Sequence, residues 1–170
     1  MKTHSESEEN YIKALYHLGG GKAVSNGALA QRVGAKGPSA TQAVKRLATK
    51  GLAEVIPYKG VKLTSDGLAL AKHILRKHRL WETFLVEKLG FGWEEVHPLA
   101  EQLEHVQSRE LAEKLATYLG SPIHDPHGDP IPQADGAIPP TMGEPLQQFS
   151  EGKFLLKYHL LQFYLQLLLT

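Results

Sequence analysis

The sequence predicts a mainly α-helical chain interrupted once by a β-hairpin. Three observations carry that prediction. Apolar residues recur at three- and four-residue spacing along six stretches of the chain. Most of those stretches open on Ser, Asn or Asp and close on Gly. The one region of strand character, LAEVIPY followed by GVKLTS, is short and folds back at Lys59-Gly60.

The first helix is SESEENYIKALYHLGG, with Ser5 or Ser7 as cap, acids in its first turn and Gly19–Gly21 ending it. Its expected apolar face is Tyr11, Ile12, Leu15, Tyr16 and Leu18. SNGALAQRVG gives a short second helix between Ser25 or Asn26 and Gly34. GPSATQAVKRLATKG gives a third, with Pro38 near its start, Ala40, Val44, Leu47 and Ala48 inward, and Gly51 as stop. Helix, short Gly-containing turn, helix is the helix-turn-helix pattern, and the hairpin that follows reads as its wing. Ser65-Asp66 caps a long helix running to about Lys88, and Gly90 to Trp93 breaks it. GWEEVHPLAEQLEHV opens the next, where Pro98 fits only in a first turn or at a kink. Ser108 caps SRELAEKLATYLG, closed by Gly120.

Most of the prolines lie in residues 121–145, expected as an extended surface segment or linker. The tail KFLLKYHLLQFYLQLLLT is apolar but interrupted by Lys157, His159, Gln162 and Gln166, which favours a packed or dimer-facing helix over a membrane span. The domains expected are residues 1–66, a winged helix-turn-helix; 67–121, an all-helical domain; 122–145, a Pro-rich linker; and 146–170, the tail.

Hydrophobic residues make up 42% of the 170 and charged residues 22%, as in ordinary soluble proteins. The absence of cysteine excludes a disulfide framework and a thiolate zinc finger. MKTHSESEEN lacks the apolar run of a signal peptide, so a cytoplasmic location is expected. The net charge of +1 conceals a division: residues 1–80 hold 14 Lys/Arg against 5 Asp/Glu, and residues 81–170 hold 5 against 13. No acid falls between Asn10 and Ala53. A basic first half suits a phosphate-binding surface and an acidic second half suits cations, although charge blocks also serve simply to solvate a face.

Two helices carry metal-ligand side chains. His78 and Glu82 stand four apart on the long helix, and His97, Glu101, Glu104 and His105 share about one quadrant of the next. Taken alone, His78/Glu82 is an ordinary exposed helical pair. Glu101, Glu104 and His105 are harder to read that way, because two carboxylates on one face repel unless a cation or base lies between them. His124 and His127 lie in the Pro-rich segment and read as surface histidines.

From residue 5 to about 135 the chain resembles the diphtheria-toxin-repressor family of iron- and manganese-dependent transcriptional repressors. SEENYIKALYHL, GPSATQAVKRLATKGL, GVKLTSDG, RKHRLWETFL, VHPLAEQLEHV and DPHGDPIP carry the resemblance, in the family's order and spacing. The resemblance implies that the helical domain binds metal and dimerises. It implies a homodimer whose metal-loaded form binds double-stranded operator DNA and represses metal uptake and homeostasis genes. Carried over, His78, Glu82 and His97 correspond to one family metal site. Glu101, Glu104 and His105 correspond to a second, completed by Asn10 of the first helix.

Two departures stand out. Asn10 and Glu101 replace a methionine and a cysteine usual in the iron-sensing branch, and Lys13 stands where the manganese-sensing branch has a carboxylate. A protonated Lys13 cannot ligate, which argues against a compact two-manganese arrangement. At the other end, PLQQFSEGKF resembles the opening of the family's SH3-like domain, which is expected to be truncated or absent. Carboxylates, an amide and imidazoles favour Mn(II), then Fe(II), with Zn(II) and Co(II) expected to bind in vitro.

The third helix is expected in the major groove, with Pro38, Ser39, Thr41, Gln42, Lys45 and Arg46 on its exposed side. Gln42 is the candidate base reader. Ser39, Thr41, Lys45 and Arg46, with Lys59 at the wing tip, are candidate phosphate contacts. Two rival classes fit the residues less well. A metal-dependent hydrolase lacks any HExxH or nucleophile elbow, so no enzyme is expected. A metal-independent winged-helix regulator sensing an organic ligand leaves the Glu/His stripe without a purpose. Metal is expected to act by joining Asn10 to the Glu101–His105 helix and so fixing the DNA-binding domain.

Overall fold

Six helices and one hairpin follow each other along residues 4–141, which the computed structural model describes. α1 (Glu6–Gly19) starts at Ser5, whose hydroxyl accepts from the Glu8 N–H while the Glu8 carboxylate accepts from the Ser5 N–H. That reciprocal pair satisfies two donors otherwise orphaned at a helix start. Gly20, in the left-handed region at φ 53°, ends the helix. Tyr11, Ile12 and Leu15 are buried as expected, but Leu18 is exposed, and Glu8 and Glu9 take buried places instead.

α2 (Asn26–Arg32) is capped by Ser25, and α3 (Gly37–Thr49) begins with Pro38 in its first turn. β1 (Ala53–Ile56) and β2 (Gly60–Leu63) pair antiparallel, with Ile56 opposite Gly60. The turn occupies Pro57–Lys59 rather than Lys59-Gly60 alone, and Tyr58 holds a positive φ at its tip. Gly60 has no alternative there: its φ is 110°, and a Cβ would collide with the Val24 carbonyl, which bridges to Val61. Val24, Ile12, Leu29, Leu47 and Val61 form the shared core of the helices and the wing.

Thr64, not Ser65 or Asp66, caps α4 (Ser65–Leu89) through its hydroxyl. α4 packs against α1 and β2 at its start and against α5 (Trp93–Leu103) and α6 (Arg109–Tyr118) further on. Pro98 lies within α5, whose start is secured by Glu95 accepting from the Gly92 N–H. The segment after α6 folds back over α4. Ile131 is fully buried with Leu80, Leu115 and Ala116, and Arg76 donates to the Pro132 carbonyl at 3.0 Å. Arg79 likewise donates to the Pro130 carbonyl. Residues 4–139 group as one compact unit. The apolar tail expected as a helix lies outside the described residues.

Candidate metal centre

α4 runs unbroken through 25 residues, so His78 and Glu82 fall one turn apart on the face that α5 crosses. His97 meets them from α5. His78 Nε2 lies 3.1 Å from Glu82 Oε1 and 3.1 Å from His97 Nδ1, and His97 Nδ1 lies 3.2 Å from Glu82 Oε1. The three donors form a nearly equilateral triangle. An octahedral ion with bonds of about 2.2 Å holds neighbouring donors about 3.1 Å apart, so the triangle suits one face of such an ion. Two imidazoles and a carboxylate are a donor set for Mn(II) or Fe(II). His78 and Glu82 are buried, whereas the His97 side chain is 62% exposed and borders a cavity of about 300 Å³.

His78 holds these charges together. Burial opposes its protonation, but hydrogen bonds to Glu104 and Glu82 prevail and raise its pKa from 6.5 to about 9. Burial pushes Glu82 up, yet His78 and His97 hold it below its ordinary value. His78 Nδ1 also lies 2.7 Å from Glu104 Oε2. With Nε2 turned toward the triangle, the Nδ1 proton faces that carboxylate, the arrangement by which outer carboxylates orient metal-bound histidines. Ring tautomers follow from these partners.

Glu101, Glu104 and His105 are neighbours, with His105 Nε2 3.8 Å from Glu104 Oε1, but among the described residues they do not form a closely spaced group of donors like the triangle. Lys13 takes the place between the two carboxylates, 3.1 Å from Glu101 Oε1 and 2.7 Å from Glu104 Oε1. Glu104 is fully buried and ionised: burial pushes its pKa up, but hydrogen bonds from His78 and Lys13 hold it below the ordinary value. His105 turns to α1 differently, with Nδ1 2.7 Å from Glu9 Oε2, while Gln107 donates to Glu9 Oε1 at 2.7 Å. Asn10 is exposed and lines a shallow cavity with Lys13 and Glu101. The sequence reading missed Glu9, although its spacing of four from Lys13 puts both on one face of α1.

The Pro-rich segment reaches the cavity of about 300 Å³ that His97 borders. Asp125 is buried and accepts from the His127 and Asp129 N–H groups at 2.9 Å each, with Arg79 Nε 3.5 Å from its other oxygen. The turn so formed sets His127 Nδ1 4.0 Å from Glu82 Oε2, nearer the triangle than a plain surface histidine would lie. Glu82, Asp125 and His127 constitute a second group of closely spaced donors.

Pro38, Ser39, Gln42, Lys45 and Arg46 are exposed along α3, and Lys59 is exposed in the wing turn. Thr41 is half-buried and donates to the Gly37 carbonyl at 3.0 Å, so its hydroxyl proton is already engaged within the helix.

Comparison with known proteins follows the same two-part division. Residues 3–61 match the iron dependent repressor N-terminal DNA binding domain, and residues 64–133 match the iron dependent repressor metal binding and dimerisation domain. The solved structure of the manganese regulator SloR is 33% identical, with a TM-score of 0.71 over 89% of this chain and 69% of that one. The chain belongs to the iron-dependent repressor family. A manganese-dependent transcriptional repressor solved in complex with manganese is 39% identical, at TM-score 0.74, over 84% of this chain and 66% of that one. The iron-dependent repressor IdeR of Mycobacterium tuberculosis (strain ATCC 25618 / H37Rv) is 38% identical over 128 residues, 75% of this chain and 56% of the relative. This family member thus spans little more than half the length of that curated relative.

Proposed function

We propose that the chain is a metal-dependent transcriptional repressor that binds operator DNA as a homodimer when Mn(II) or Fe(II) is held by His78, Glu82 and His97. It is a cytoplasmic regulator of metal uptake and homeostasis genes, and not an enzyme. The carrying observation is the triangle of donors with edges of 3.1, 3.1 and 3.2 Å between α4 and α5. Family membership supports the reading, as do the exposed polar residues on α3 and the acid-free stretch that contains it. Dimerisation accords with the large apolar side chains Leu89, Phe91 and Val106, which stay exposed around the α4–α5 hairpin. No helix among the described residues is long and apolar enough to cross a membrane.

The metal, when bound, supplies a positive charge tying two buried donors of α4 to one of α5. The remaining work belongs to the chain. His78 links the triangle to Glu104, and Glu104 contacts Lys13 on α1, the first helix of the DNA-binding domain. Restricting α5 against α4 therefore restricts the base on which α1 sits, so less disorder is lost when α3 docks on DNA. Gln42 is the base reader, and Lys45, Arg46 and Lys59 hold phosphates, with Pro38, Ser39 and Thr41 at the groove edge.

The experiment is selection from a pool of random duplexes with Mn(II), Fe(II) or Zn(II), or with chelator alone. Enrichment of a near-palindromic sequence only in the presence of metal is expected. Equal enrichment in chelator would overturn metal dependence and favour the organic-ligand regulator.

A further inference from the structure

The two carboxylates and the imidazole of the expected second metal group already have partners, and only its amide, Asn10, stands exposed. Glu104 is engaged through one oxygen by Lys13 and through the other by His78, both at 2.7 Å. Glu101 is engaged by Lys13 at 3.1 Å, and His105 by Glu9 at 2.7 Å. The Lys13 side chain is only 13% exposed and that of Glu104 not at all, so this pair is desolvated and not a loose surface contact, while the Glu101 side chain is 51% exposed. An ammonium between two carboxylates holds the position that a divalent ion bridging Glu101 and Glu104 would need. Its three N–H donors match oxygens, and its charge excludes a second cation from the same space.

We infer that Lys13 is a tethered resident cation: its ammonium replaces the second metal, so each subunit takes one divalent ion, at His78/Glu82/His97, and α1 stays latched to α5 without metal. The inference rests on the proposed metal reading and deepens it. Glu104 then serves as the outer carboxylate of His78 and as the anchor of Lys13, not as a metal ligand. Metal gates DNA binding through the His78–Glu104–Lys13 chain, and the α1–α5 contact itself is permanent.

The test counts ions. Full-length protein is dialysed to equilibrium against Mn(II), and metal per subunit is measured by elemental analysis for the wild type, His97→Ala, Glu101→Gln, Lys13→Glu and Lys13→Ala. The wild type is expected to hold one ion, lost in His97→Ala and kept in Glu101→Gln. Lys13→Glu, which turns the ammonium into a third carboxylate, is expected to hold two, and Lys13→Ala to recover a weaker second ion. Two ions in the wild type, one of them removed by Glu101→Gln, overturn the tethered-cation role whatever the Lys13 variants do. A single ion removed by Glu101→Gln overturns it equally, as does a folded Lys13→Glu that still holds one. Zero ions in the wild type instead sink the metal reading beneath it, so the two failures are distinguishable.

Discussion

Lys13 and Glu104 stand 91 positions apart in sequence, yet the ammonium of one lies 2.7 Å from the carboxylate of the other. The carboxylate is wholly buried and receives His78 on its second oxygen at the same distance. Removing one member of such a cluster leaves the others charged and desolvated. Glu104→Gln should therefore lower the unfolding free energy of the metal-free protein by about 3 kcal/mol, read from urea denaturation. A change within a few tenths of a kcal/mol would mean that water relieves these charges.

His97 contributes to the triangle from an exposed position, so its loss should spare the fold. His97→Ala should keep its melting temperature without metal. Its Mn(II) affinity should fall by more than the roughly 10–100-fold typical of outer-shell substitutions. Glu104→Gln should fall within that range, because its carboxylate orients His78 without itself ligating. Calorimetric titration with Mn(II) checks both, and equal losses would place Glu104 among the ligands.

Lys45 and Arg46 are exposed on α3 and should act through phosphates. Replacing either with Ala should weaken binding to all duplexes and reduce the salt dependence by about one unit of slope. Gln42→Ala should instead relax preference at one base pair, by roughly 1–3 kcal/mol. Anisotropy titrations on selected and scrambled duplexes separate these, and equal losses on both for Gln42→Ala would demote it to a backbone contact.

Glu8 joins α1 to the end of α3 through Lys50, at 2.7 Å. Burial pushes its carboxyl up, but Lys50 and the Ser5 N–H prevail and hold it below its ordinary 4.5. A carboxyl with a lowered native pKa gives stability that is present above pH 4.5 and lost as pH falls through the lowered value. Melting temperatures followed downward from pH 6 should show an acid loss that is shallower in Glu8→Gln. An identical acid limb in both proteins would assign that loss to other carboxylates.

Leu89 and Phe91 leave large apolar surface exposed beside the α4–α5 turn. Leu89→Asp combined with Phe91→Asp should yield monomer in sedimentation velocity while helix content by circular dichroism is retained. Persistence of a dimer would move the interface elsewhere, to a face such as that carrying Tyr118.

Much of the fold was legible in local chemistry. Ser5, Ser25 and Ser108 cap the helices they precede, Pro38 sits in the first turn of α3, and the wing pairs between Ala53 and Leu63. These features depend on neighbours a few residues away, which a linear sequence displays. The pairing of His78 with Glu82 was visible for the same reason. What the sequence by itself determined, then, was each helix, its polar face and the charge division between the two halves.

The tertiary structure decided which faces meet. Helical spacing tells that residues 9 and 13 share a side of α1 and that residue 10 lies about 100° around from residue 9, but it gives no rotation of α1 relative to α5. Packing set that rotation: burial of Tyr11, Ile12 and Leu15 brings Glu9 and Lys13, not Asn10, to His105 and Glu104. The same holds for His127, whose approach to Glu82 depends on Ile131 being buried against α4 and α6. Local propensity acts over one or two turns, whereas the choice among equally polar faces follows from burying the apolar ones, and that is a property of the assembled core.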